Sequence, residues 1–146
     1  MTELELWTLI VDGVAAILAA VAILLYITFW FRDKTNNSYT IFDQNYLEIL
    51  KLGIEHPRFR DKAFTSNYDK QPDHEERIRY ETYAYICWNF CETIVDKGDA
   101  ILMETWGVVI ETENNLHRKW FDQPENTGKF KDAFRDYIHQ KFPANY

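Results

Sequence analysis

From Leu6 to Phe31 the chain carries a single acidic or basic residue, Asp12. A helix over those 26 residues rises roughly 39 Å at 1.5 Å per residue. About 20 apolar residues suffice to cross the hydrocarbon core of a bilayer. A buried core helix of this length and uniform apolarity is unusual in a chain of 146 residues. A cleaved signal peptide fits poorly: no basic residue precedes the apolar run, and the run is long for such a segment. Ala20-Val21-Ala22 resembles a cleavage site only superficially, since cutting there leaves ILLYITFWF at the new terminus. The reading is a transmembrane helix within residues 1–32.

The flanks give it a direction. Residues 1–31 hold Glu3, Glu5 and Asp12 and no Lys or Arg, whereas all 16 basic residues follow. Arg32 and Lys34 come directly after the apolar run, which by the positive-inside rule places the N-terminus outside and the remainder in the cytoplasm. Trp7 at one end, and Tyr26, Trp30 and Phe31 at the other, fit the aromatic belts of a bilayer.

A carboxyl group inside a span is costly and faces a partner or water. Asp12 shares a helical stripe with Ala16, Ala19, Ile23, Tyr26 and Trp30, and Gly13 and Ala20 beside it permit close approach of neighbouring helices. The sharp expectation is a parallel homo-oligomer. In it Asp12 forms an acidic ring, and Ala16, Ala19 and Ile23 form a narrow apolar throat that can gate by dewetting. The plainer alternative leaves Asp12 near the outer surface, in water or protonated.

Residues 33–40 (DKTNNSYT) are expected as a polar linker, and residues 41–146 as a helical domain. Leu47, Leu50 and Ile54 recur at helical spacing, and Pro57 disfavours helical geometry at His56. Asp73 and Glu76 resemble a capping box opening a long helix, along which Ile78, Thr82, Ile86, Phe90 and Ile94 repeat every four residues. Gly98 is a stop. A further helix from about Asp99 to Phe121 has Leu102, Trp106, Val109, Ile110, Leu116 and Trp120 on its apolar face, and a last helix covers about Lys129 to Phe142. No strand-like alternation stands out. The fold class is all-α: one N-terminal transmembrane helix followed by a four- or five-helix cytoplasmic domain.

The soluble part has few marks of catalysis. His56, His74, His117 and His139 fall in no zinc-binding spacing, and no phosphate loop, dinucleotide fingerprint or nucleophile elbow is present. Carboxylates are spread over solvated faces. Cys87 and Cys91, four apart on one helix face, read as two small buried apolar residues, with half a metal site or a thiol pair as the alternative. No enzyme, metal or cofactor is expected. The formal charge of −7 argues against coating duplex nucleic acid.

Two basic clusters remain. Arg58 and Arg60 flank Phe59, with Arg77 and Arg79 further on; His117, Arg118 and Lys119 precede Trp120 and Phe121. Arginine beside an exposed aromatic can hold phosphate and stack on a base. These residues are the candidate ligand site. The ordinary alternative is that they pair locally, as Arg77 can with Glu81, or suit a helix C-terminus.

The run His56-Pro57-Arg58-Phe59-Arg60, then Arg77, Phe90 and Glu92, then Trp106, Ile110, Leu116 and Trp120-Phe121, resembles a broad set of uncharacterised bacterial single-pass membrane proteins. In these an HPxLR-type element precedes a long helix, a Trp and a terminal aromatic helix. The likeness covers about residues 43–142, with Phe59 where Leu is commoner. It implies fold more than activity. The layout is also similar to small membrane effectors of bacterial antiphage systems, such as the Hailong channel effector and the cyclic-oligoadenylate-sensing CRISPR membrane proteins. That likeness implies a homo-oligomeric effector in the bacterial inner membrane. Its spans would form a pore gated by a nucleotide or oligonucleotide bound to the cytoplasmic domain. The alternative is a membrane-tethered helical adaptor that recruits a protein partner.

Overall fold

A computed structural model describes the backbone of residues 2–98 and 100–144, and their side chains except at 4–6, 8–12 and 33–39. Helix α1 runs Glu3–Glu55, α2 Lys62–Thr65, α3 His74–Lys97, α4 Ala100–Phe121 and α5 Asp132–Lys141, with 3-10 turns at Pro57–Arg60, Tyr68–Lys70 and Pro124–Lys129. The described residues contain no strand. The chain divides into two compact units, Met1–Phe42 and Asp43–Tyr146.

In the first unit, Gly13–Arg32 has a mean hydropathy of 2.5 and no part of it is buried. This helix is long and apolar enough to cross a membrane. Ala16, Ala19 and Ile23 are exposed on it, and no atom approaches within 4 Å of a Cβ built on Gly13. The side chain of Asp12 lies outside the described residues.

The stretch 33–40, expected as a linker, has helical backbone and belongs to α1. It contains neither Gly nor Pro. Its Asn, Ser and Thr residues disfavour helix by no more than about 0.7 kcal/mol each. Extending a helix already formed on both sides avoids the unfavourable nucleation step, so polarity alone does not break it.

In the second unit the local signals act as their chemistry requires. α1 stops at Glu55, two residues before Pro57. Asp73 caps α3, its carboxylate accepting from the backbone N–H groups of Glu75 and Glu76. Gly98 ends α3 at φ +60°, a left-handed geometry that a residue with a Cβ resists.

α3 and α4 form the central pair; α2 packs on α4, and α5 on α3. The core is aromatic. Trp88 and Phe121 stack with centroids 4.2 Å apart, and Phe134 and Phe130 close over Phe121. At the other end Phe59 and Phe64 pack against Tyr80. Among the apolar residues that recur at helical spacing, Leu47, Ile54, Ile78 and Ile86 are exposed. A four-residue repeat drifts around a helix of 3.6 residues per turn. Ile78 and Ile86 therefore lie to one side of the stripe that buries Phe90 and Ile94.

Candidate functional site

The polar chemistry of the domain converges on Glu113, whose side chain is fully buried. Position 113 continues the stripe of Trp106, Ile110, His117 and Trp120 on α4, all of them buried. That helix face therefore drives a carboxylate into the core. Arg60, brought in by the turn after Pro57, donates from Nη1 to Glu113 Oε1 at 2.6 Å. Tyr46, from the end of α1, donates to the same oxygen at 3.1 Å.

Close approach at Gly53 makes room for this arrangement. A Cβ there would stand 3.0 Å from both Arg60 Cγ and the Tyr83 hydroxyl. Tyr83 in turn donates to the Ile49 carbonyl at 3.3 Å.

On the other side of Glu113 lies His117, one helical turn on and equally buried, with Nε2 3.3 Å from Glu113 Oε2. Neither of these two atoms makes an aligned hydrogen bond. His117 Nδ1 meets the Tyr80 hydroxyl at 3.1 Å, and the His117 carbonyl accepts from Trp88 Nε1 at 3.2 Å. Cys87 on α3 faces this pair. Its sulfur, a Glu113 carboxylate oxygen and a His117 ring nitrogen all lie within 4.8 Å of one another. Cys87 and Cys91 are buried free thiols.

The charge state follows from these contacts. Burial by itself would raise the Glu113 carboxyl; the His117 ring and the Arg60 guanidinium more than offset it, and the pKa falls to about 2. Burial depresses His117 against the pull of the Glu113 carboxylate, and Arg60 is the permanently charged group beside Glu113. Burial, then the Glu113 charge, push the Cys87 thiol up, and Tyr46 rises to about 12 for the same two reasons.

The residues expected to hold an anionic ligand do not form one site. His117, Arg118 and Trp120 are buried. Arg118 is spent inside the fold, donating to Asp122 at 2.7 Å, Asn114 at 2.9 Å and the Phe142 carbonyl at 2.8 Å. Lys119 donates to Asp69 at 2.6 Å and to the Ser66 carbonyl at 3.0 Å. Arg58 donates to both oxygens of Glu76 at 2.9 Å and stands over the Phe64 ring. Arg77 pairs with His74 and Glu81, and Arg79 with Glu75. The hollow beside Arg79 is lined by Asp73, Glu75 and Glu76, a lining that repels an anion.

Comparison with protein families, with curated proteins and with solved structures finds no match.

His117 and Arg60, expected to hold a ligand, instead meet at Glu113, which Tyr46 and Tyr83 join from other segments. The readable signal was a charged residue in the apolar stripe of α4. Its partners lie 53 and 67 residues away, which helical periodicity cannot reach.

Leu52 and Ile86 are shared by two adjoining hollows between the end of α1 and α3. One is lined also by Ile49 and Phe90, with Asn45, Glu48, Asn89 and Thr93 at its polar edge; the other by Phe59, Ile78 and Tyr83, with His56, Arg79 and Thr82.

Proposed function

We propose that the chain is a membrane-tethered helical adaptor. Gly13–Arg32 holds it in the bilayer, and the domain on its cytoplasmic side recruits a protein partner. The observation that carries this reading is the apolar groove between the end of α1 and α3, where Ile78 is 48% and Ile86 37% exposed. An exposed apolar hollow is what an interaction module offers. An enzyme needs reachable polar groups, whereas the Glu113 node is sealed. The flanking charge supports the orientation, because Arg32 and Lys34 follow the apolar run directly.

A photo-crosslinker at Ile86, with Glu111 as an exposed control position, tests this in intact membranes. The adaptor reading expects one discrete adduct with a different protein from Ile86, lost on Ile78→Asp and absent from the control. No adduct, or equal labelling at both positions, removes it.

A second reading rests on Asp12, the one carboxylate of the apolar run. Here the chain is a homo-oligomeric membrane effector, and its bundled spans form a pore gated by a nucleotide-type signal, in the manner of antiphage effectors. Ion flux from liposomes carrying the protein, with and without Asp12→Ala, tests it. Flux that needs Asp12 supports the pore, and no flux under any ligand condition removes it.

A further inference from the structure

The Glu113 node contains more donors than its hydrogen bonds use. Glu113 Oε2 and His117 Nε2 lie 3.3 Å apart, both on side chains with no exposed surface, and neither has a hydrogen-bond partner. A buried polar atom left unmatched costs about 1–3 kcal/mol. Two such atoms pointing at one another, with a thiol beside them, require an explanation.

We propose that Cys87, Glu113 and His117 bind one divalent transition-metal ion of the zinc class, which ties α3 to α4 in the interior of the domain. Three observations meet here.

The first is the donor set. Thiolate, imidazole and carboxylate together are a zinc-type combination. They come from facing positions on two helices, with their donor atoms within 4.8 Å of one another.

The second is spacing. A tetrahedral ion with bonds of about 2.0–2.1 Å to nitrogen and oxygen holds those two atoms about 3.3 Å apart. The Nε2 to Oε2 distance is 3.3 Å. The cysteine sulfur closes in from within 4.8 Å by a side-chain rotation on α3.

The third is the surrounding shell. A metal-bound histidine gives its second ring N–H to an acceptor, and a metal-bound carboxylate accepts hydrogen bonds on its other oxygen. His117 Nδ1 sits 3.1 Å from the Tyr80 hydroxyl. Glu113 Oε1 accepts from Arg60 and Tyr46. Each ligand is therefore held by its far atom, and its near atom is left for the ion.

Binding exchanges the Cys87 S–H bond for a sulfur–metal bond and releases the proton to solvent. Arg60 offsets one of the two anionic ligands, so the occupied site carries a net charge of about +1. The three side chains fill three of the four positions of a tetrahedral ion. The site is sealed, so the ion enters as the domain folds and acts structurally.

The test uses the full chain, expressed in zinc-supplemented medium, purified in detergent and then dialysed against weak chelator. Elemental analysis is expected to give one zinc per chain. Expression in medium where Co2+ takes the place of zinc is expected to give a thiolate-to-metal charge-transfer band and the intense visible bands of tetrahedral cobalt. Cys87→Ser is expected to lose the charge-transfer band, and His117→Gln to weaken zinc by about tenfold or more. Cys91→Ser keeps both signals. Where a variant fails to fold, the parent protein decides the matter: folded chain without stoichiometric metal, or cobalt without a charge-transfer band, overturns the site. Loss of metal from Cys91→Ser equal to that from Cys87→Ser overturns the three-donor assignment.

Discussion

Arg60 and Glu113 meet at 2.6 Å across 53 residues of sequence, joining the turn after α1 to the middle of α4. The Glu113 side chain has no exposure and that of Arg60 is 22% exposed. The pair therefore exchanges hydration for one short charged contact, reinforced by Tyr46. Glu113→Gln keeps the shape and removes the charge that Arg60 faces. Removing one member of a buried pair is strongly destabilising, because the other is left without compensation. A loss of about 3 kcal/mol is expected in denaturant unfolding of the full chain in detergent. An unchanged midpoint would show that the pair carries no weight.

Gly53 poses a contest between two effects. Gly to Ala in a helix interior favours folding by about 1 kcal/mol through helix propensity. The added Cβ would stand 3.0 Å from Arg60 Cγ and from the Tyr83 hydroxyl, and overpacking costs about 1–3 kcal/mol. The Arg60 stem can shift, but the Tyr83 hydroxyl sits at the end of a rigid ring hydrogen-bonded to Ile49. Gly53→Ala is therefore expected to destabilise by about 1 kcal/mol, measured by the same unfolding experiment. A more stable variant would mean that the close approach at Gly53 is dispensable.

Arg118 and Arg58 separate structural from surface arginines. Arg118 is buried and holds the carbonyl of Phe142 after α5, so Arg118→Ala is expected to cost about 2–3 kcal/mol and to open the C-terminal segment to limited proteolysis. Arg58 is 57% exposed. Arg58→Ala is expected to stay within about 1 kcal/mol of the parent, as exposed pairs do. Equal effects from the two variants would contradict the inside–outside distinction drawn between them.

The same pairing bears on ligand binding. The candidate cations each face an acidic or carbonyl partner, and phosphate would have to displace it. Nucleotide titration by calorimetry, using mono- and oligonucleotides, is expected to show no saturable heat at physiological salt. Saturable binding abolished by Arg58→Ala and Arg79→Ala together would restore the cluster as an anion site.

Legibility in the sequence followed the range of the interaction. Asp73, Gly98 and Pro57 act within one turn of themselves, and each marks a boundary of α3 or α1 where the residue type predicts it. The apolar run is likewise self-contained. Polarity in residues 33–40 misled, because a sequence without Gly or Pro between two helical segments stays helical. Ile78 and Ile86 stand exposed because a strict four-residue repeat does not follow one face of a helix. The Glu113 node needed Tyr46, Arg60, Tyr83 and Tyr80 to converge from three separate segments. Only its trace on α4, an acid in an apolar stripe, stood in the sequence.

The proposed tether requires that Gly13–Arg32 remain in the protein and hold it in a bilayer. Alkaline carbonate extraction of membranes from cells expressing the chain, followed by intact-mass measurement of the recovered protein, tests it directly. The account predicts that the protein stays in the membrane pellet at a mass that includes residues 13–32. Recovery in the carbonate supernatant, or a mass showing cleavage after Ala22, would contradict it.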